Sequence, residues 1–583
     1  MTFAKIIPTL LSVIIVVFFL SFIIHFSTGI PQADDFPMMF QFLDNWEIAE
    51  TVRQKYQLLT EQFLDHRMLA MKLTVLLVKA VFGKMSINAV NTVGILIWLA
   101  TISLLFRAFA VSGNSLLNFI PVLFLTLHPG FGFDGLFWAA TWMAFPWAIF
   151  FSIGCFYCLA FNDSRKFYIF ALSLSFLAMF SHGNGILCCM VGLLILILQK
   201  KYRPALTWFC LSAAGLFLFF YQYQSGGTSE ESPIRNLFER PFYVFSSIGA
   251  FTGGSVFFPN VEVNVLSPDY FPAIIFGLVL SVSILSVTLS ICLEWAGFPS
   301  DFGPRLLRSK LALFLCATGL FIVSTAIMMS CVRTNTNVIH GFAARYHFYS
   351  ALLISVFYMF FILILSNAKL KARFAIFGIV AGFVYWAGQY WYQTAEIADY
   401  VRIFESGLYN SKTSGNWVLY KDARFWERGL DQYSNEKIWT GRSDNYRFPA
   451  VGLNPDSSVS FISLSELPEG HRVFISDHKD DFTVRVKGKT FQIPAISRIT
   501  DGVYVNLVSR QKSFLYPLRH ERMGLRQFVK NRIYYKSDIR IDLKKKWFAP
   551  GIYCLSILIV KGGRKWMINT DKMVKIDQYP YEI

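Results

Sequence analysis

Runs of about twenty apolar residues, separated by short polar segments, recur from Ile6 to about residue 392, and one helical crossing of a bilayer needs about that many. Composition points the same way. Of 583 residues, 54% are hydrophobic and 16% charged, where an ordinary soluble domain carries roughly a quarter charged. A water-soluble globule is excluded, and a polytopic α-helical membrane protein is predicted.

The runs fall at residues 6–26, 86–106, 114–128, 143–161, 167–181, 185–199, 204–221, 270–292, 310–331, 347–366 and 373–392, which gives about eleven transmembrane helices. The first is longer than a signal-peptide core and lacks a small-residue cleavage site, so it is expected to remain as an anchor, with Lys5 on the inner side. Arg107, Arg165, Lys166, Lys200, Lys201, Arg203, Arg305, Arg308, Lys310, Lys369, Lys371 and Arg373 then all fall on that inner side, as the positive-inside rule requires. Loops 27–85, 129–142, 222–269 and 332–346 fall outside, as does everything after residue 392. The net charge of +17 is read as membrane orientation rather than nucleic-acid binding. Of nine cysteines, only Cys331 and Cys554 could meet an oxidising compartment, so no disulfide framework is expected.

From residue 393 the pattern changes. Segments starting at Phe482, Val503, Ile539, Tyr553 and Met573 alternate apolar with polar residues between Gly and Pro turns, which predicts a β-rich domain. The expected division is a membrane domain, 1–392, and an extracytoplasmic domain, 393–583, whose residues 393–450 begin with a helix and continue irregularly.

Three clusters can carry chemistry. Asp34 and Asp35, in Pro-Gln-Ala-Asp-Asp-Phe-Pro, follow the first span closely. Such a pair can take a proton from a hydroxyl or hold a divalent cation such as Mg or Mn; alternatively it caps the next helix. A helical stretch over 44–64 ends in Asp65-His66-Arg67 before an amphipathic run, 68–82, that closes at Gly83. There His66 can shuttle a proton and Arg67 can clamp a phosphate, or both anchor an interfacial helix. Arg333, His340, Arg345 and Tyr346 flank a late span and suit a lipid phosphate or an ordinary interfacial belt. Weaker signals are the turn His182-Gly-Asn184-Gly, and His128 and Asp134 near Trp138 and Trp142, a sugar-stacking surface or an aromatic belt. The basic stretch around Arg519, Arg522, Arg526, Lys530 and Arg532 suits an anionic glycolipid or a solvated face.

Together, an uncleaved first helix, an acidic pair in the first outer loop, interfacial helices ending in His-Arg, many further spans and a late Arg-Tyr resemble the GT-C superfamily of polyprenyl-phosphate-dependent membrane glycosyltransferases. The resemblance covers the membrane part and is nearest to bacterial members that modify cell-envelope glycans. The sequence differs from lipid-A and protein-mannosyl types, which often carry Lys-Pro-Pro where Asp65-His66-Arg67 stands. What the resemblance implies is an inverting transfer from a polyprenyl-phosphate sugar to a glycan or glycolipid acceptor at the outer face of the cytoplasmic membrane, with a periplasmic tail. It gives Asp35 or Asp34, with His66, the catalytic roles and the metal-ligand role of any cation. It gives Arg67, Arg345 and Arg333 the donor phosphate, and leaves His182, Asn184, Trp138, Tyr346 and His340 to line the cavity. The rival readings are an O-antigen polymerase or ligase, a transporter or flippase of lipid-linked sugars, and a non-catalytic scaffold. A transporter calls for ionisable residues near the middle of the spans, where this sequence has almost none.

Overall fold

The computed structural model describes residues 3–32, 34–224, 233–257, 268–296, 309–333, 340–414, 459–493, 498, 500–510, 512–545, 548 and 550–577. Among them, nine helices are long and apolar enough to cross a membrane: Ile6–Phe26, Ile87–Val111, Leu117–Leu136, Ala139–Phe161, Tyr202–Phe220, Phe271–Glu294, Lys310–Arg333, Ala344–Ile364 and Ala368–Asn410. The chain divides into two compact units, one of Met1–Ile23 with Pro37–Gln393, the other of Ile24–Phe36 with Thr394–Ile583.

The first unit is helical. Of the eleven expected spans, 167–181 and 185–199 become the helices Arg165–Ser181 and Ile186–Leu198, only 17 and 13 residues long. At 1.5 Å per residue the second reaches about 20 Å, less than a hydrocarbon core of about 30 Å. Between them lies the 3₁₀ turn Gly183–Gly185. Gly185 is required there, since a Cβ would stand 1.9 Å from the Ala178 carbonyl oxygen.

The segment 129–142, expected as an outer loop, is instead buried. The Ile120–Thr126 helix breaks at His128-Pro129-Gly130 and resumes as Gly132–Leu136. Irregular backbone at such depth needs partners from neighbouring side chains, and it finds them. His128 Nδ1 accepts the Gly130 N–H at 2.9 Å, and His347 Nδ1 donates to the Gly130 carbonyl at 2.6 Å. The indoles of Trp98, Trp386 and Trp142 donate to the carbonyls of Thr126, Leu127 and Leu136. His128 and Trp142 are therefore core residues, both fully buried, and neither belongs to a sugar-stacking surface.

The expected outer loop 222–269 holds a helix that periodicity did not reveal, Pro241–Gly253. It lies against Phe271–Ala296 through glycines. A Cβ on Gly277 would stand 2.0 Å from the Gly249 carbonyl oxygen, and one on Gly253 would stand 2.2 Å from that of Ala273. Small residues let backbones approach this closely where no water drives helices together.

The second unit contains two sheets. One has the order β1-β8-β7-β4-β5, the other β2-β3-β6, with β1 Val459–Ser463, β2 Arg472–Asp477, β3 Asp481–Lys487, β4 Gly502–Val508, β5 Ser513–Pro517, β6 Asp538–Lys544, β7 Gly551–Lys561 and β8 Arg564–Ile576. Strands β3 and β6 turn Phe482, Val484, Ile539 and Ile541 toward Val503, Val505, Leu555 and Ile557 in one core. The other face of the larger sheet packs Tyr504, Leu515 and Leu558 against Tyr409 of the Ala368–Ser414 helix. Asn410 closes the edge strand β5, donating to the Leu515 carbonyl at 3.1 Å and accepting its N–H at 2.7 Å. A side chain thus occupies the ladder positions that an incoming strand would use. The irregular stretch expected after the first helix of this domain lies outside the described residues.

Candidate active site

His66 is held by a tight turn. Phe63 and His66 exchange backbone hydrogen bonds of 2.8 and 3.0 Å, and Leu64 between them takes φ +48°, a left-handed conformation that costs an L residue about 1–2 kcal/mol. The turn lays the His66 ring on His182, with centroids 3.9 Å apart and planes 28° apart. Gly183 permits this approach, because a Cβ there would meet His66 Nδ1 at 2.9 Å. The Gly183 N–H donates to that Nδ1 at 3.2 Å, so the ring proton of His66 sits on Nε2. His182 Nδ1 pairs with Asn184 Oδ1 at 2.9 Å; the amide oxygen only accepts, which leaves the His182 lone pair on Nε2. Burial, and then the Arg333 charge, pulls His66 down to about 4. Burial and the neighbouring His66 hold His182 well below the usual histidine range. Both rings are neutral at pH 7.

Asn184 is buried and continues the network, donating to Tyr349 OH at 2.7 Å and Thr325 Oγ1 at 3.3 Å. Phe145 links the histidines to Tyr346, its ring 5.0 Å from His182 and 5.5 Å from Tyr346. Phe251, on the Pro241–Gly253 helix, packs on both Tyr346 and Tyr349 at 5.1 and 5.2 Å. Two guanidiniums meet at Tyr346: Arg333 Nη1 donates to its hydroxyl at 3.0 Å, and Arg345 Cζ lies 5.3 Å from its ring centre. Both arginines are half-buried. Asp134 lies within electrostatic reach of Arg345, while Arg333 has no carboxylate partner among the described residues.

The structure thus brings His66, His182, Asn184, Tyr346, Arg333 and Arg345 together at one end of the first unit's bundle. Tyr349, Thr325, Phe145 and Phe251 complete the cluster and were missed. Tyr349 stands one helical turn beyond Tyr346 and was the one within reach of sequence reasoning.

Arg67 has a different task. Its guanidinium donates to the carbonyls of Phe219 at 2.8 Å and Tyr221 at 2.6 Å, and to that of Thr60. Lys72 Nζ donates to the Leu58 and Glu61 carbonyls, both at 2.7 Å. The helix Val52–Thr60 ends at these carbonyls, so two cations satisfy its orphan acceptors and oppose the negative end of its dipole. Three carbonyls occupy the fork that would otherwise clasp a phosphate, and the expected donor-binding role is withdrawn from Arg67. Beside this helix lies an open cleft of about 1220 Å³, lined in part by Arg53, Tyr56, Gln57, Leu64, Tyr221 and Gln222.

Other expected residues fall elsewhere. Trp138 caps the Ala139–Phe161 helix, and its buried indole N–H has no hydrogen-bond partner among the described residues. His340 opens the 3₁₀ turn His340–Phe342; its side chain lies outside the described residues. Asp34 and Asp35 belong to the second unit. Asp35 is fully buried, its Oδ2 accepting the Gln32 N–H at 2.8 Å and its own N–H donating to the Gln32 carbonyl at 2.7 Å. Asp34 is half-buried. Among the described residues no group of three or more His, Cys, Asp or Glu could hold a metal ion, and two carboxylates supply few of the oxygens that Mg or Ca takes.

No protein-family model, no curated protein and no solved structure matches the chain.

Proposed function

We propose that this chain is an inverting glycosyltransferase that moves a sugar from a polyprenyl-phosphate donor to a cell-envelope glycan or glycolipid at the outer face of the cytoplasmic membrane. The observation that carries the reading is the pair Arg333 and Arg345, converging on Tyr346 beside two neutral, stacked histidines at one end of an apolar bundle. Half-buried guanidiniums in a low dielectric favour an anion, and a lipid phosphate arrives at the depth where helix ends meet headgroups.

In the reaction an acceptor hydroxyl oxygen bonds to the anomeric carbon as the bond from that carbon to the phosphate oxygen breaks. Polyprenyl phosphate leaves with the bonding electrons, and the two arginines stabilise the charge that grows on it. The hydroxyl proton passes to a base. Within the first unit the His182 Nε2 lone pair is the candidate; the family resemblance implies Asp35, or Asp34, for the same role. Carboxamides and phenols in the cleft, Gln57, Gln222, Tyr56 and Tyr221, suit sugar hydroxyls and ring faces.

The test is transfer by purified protein from a polyprenyl-phosphate sugar, with donor and acceptor chosen by comparing envelope glycans of deletion and wild-type cells by mass spectrometry. Arg345→Gln and Arg333→Gln are each expected to lower transfer by about 100-fold or more, as losing a transition-state donor does. Wild-type rates from both variants reject the reading. Asp35→Asn and His182→Gln separate the bases: the variant that abolishes transfer while still binding donor identifies the proton acceptor.

A further inference from the structure

We propose that the short helix Leu525–Asn531 of the second unit is a docking element for anionic phospholipid, independent of any transfer reaction. The helix carries no buried residue. Leu525 and Val529 are 62% and 70% exposed and stand four residues apart, on one face. Arg526 and Lys530 form the adjacent stripe, and Arg532 follows at the left-handed C-cap with φ +54°. Phe528 anchors the helix to the domain, its ring 6.4 Å from that of Tyr534. From Arg522 through Ser537 there is no acidic residue.

Some surface cations elsewhere in the unit are paired. Arg519 pairs with Glu396, Lys536 with Glu521, Arg540 with Asp542 and Lys545 with Asp477. Among the described residues, Arg526, Lys530 and Arg532 have no ion-pair partner. Three unpaired cations beside two exposed aliphatics form the pattern of a helix that lies in an interface, with aliphatics among acyl chains and cations among phosphates. The unit is joined without a break, at Thr394, to a helix apolar enough to cross a membrane.

The test uses the full chain in phosphatidylcholine nanodiscs with and without phosphatidylglycerol. Val529→Cys carries a fluorophore, in a background where the exposed thiols Cys210 and Cys554 are changed to Ser, and doxyl lipid is the quencher. Quenching is expected in anionic discs, little in neutral ones, and less at high salt as charges are screened. Each cation near an anionic leaflet gives about a five-fold gain in binding, so Arg526→Gln, Lys530→Gln and Arg532→Gln combined should lower the docked-to-free ratio roughly 100-fold. Arg526→Lys with Arg532→Lys should keep the quenching, since a lipid surface reads charge. Equal quenching in both disc types, or no quenching in anionic discs, overturns the proposal. So does loss of quenching in the lysine variant, which signals a partner that reads guanidinium geometry.

Discussion

His66 and Arg67 are adjacent, yet one faces the polar cluster and the other ties a helix end to neighbouring carbonyls. Residue type told what each could do, but the choice depended on carbonyls from residues 219 and 221, which no local pattern announces. His66 also makes the turn pH-sensitive. Its proton is bound less tightly in the fold, at about 4, than at the ordinary 6.5, with burial the main cause and Arg333 the second. Stability from the neutral ring is therefore complete above about pH 6.5 and is lost as pH falls through about 4, with a loss of about 3 kcal/mol from 1.36 kcal/mol per unit. Hydrogen exchange of the amides of 61–68, corrected for intrinsic rates, should show progressive opening from pH 7 to 4. His66→Gln should show none of that acid dependence. A turn that stays equally protected across the range would mean that the ring protonates without penalty.

At the scale of elements, what was legible followed periodicity and what was missed followed tertiary partners. The runs of about twenty apolar residues became helices, and β3, β4, β6 and β7 lie where alternation placed them. β1, β2 and β5 are short, five or six residues each, and gave too little alternation to register. The Pro241–Gly253 helix escaped because its thirteen residues cannot span a bilayer and its glycines read as a loop. Those glycines are the reason it packs. Gly277→Ala would force a Cβ to 2.0 Å from the Gly249 carbonyl oxygen, a contact that backbone cannot relieve by a rotamer change. The two helices must separate, drawing Phe251 off Tyr346 and Tyr349. A destabilisation of about 1–3 kcal/mol and a fall in transfer are expected, read by thermal unfolding and by the donor assay. Gly524→Ala, at a position with nothing within 4 Å, is the neutral comparison. Equal melting temperatures for the two variants would remove close glycine packing as the reason for this helix.

For the whole molecule, the alternation of helices carries the cationic loops to the end opposite the polar cluster. Arg165 and Lys310 begin helices whose far ends, Ser181 and Arg333, adjoin the cluster. Positive loops face the cytoplasm because moving Lys and Arg across the bilayer is disfavoured during insertion, so the cluster is expected at the external face. From the loop charges alone, the chain after residue 392 is expected outside as well. Two thiols can decide this. Cys554 on β7 is exposed, and Arg165→Cys places a thiol at an exposed position at the other end. In intact spheroplasts a membrane-impermeant maleimide should label Cys554, with the label lost in Cys554→Ser, while the thiol introduced by Arg165→Cys should react only after permeabilisation. The reverse pattern would put Arg333 and Arg345 on the cytoplasmic side. There a nucleotide-activated sugar, rather than a sugar carried on an externally presented lipid phosphate, becomes the chemically reasonable donor.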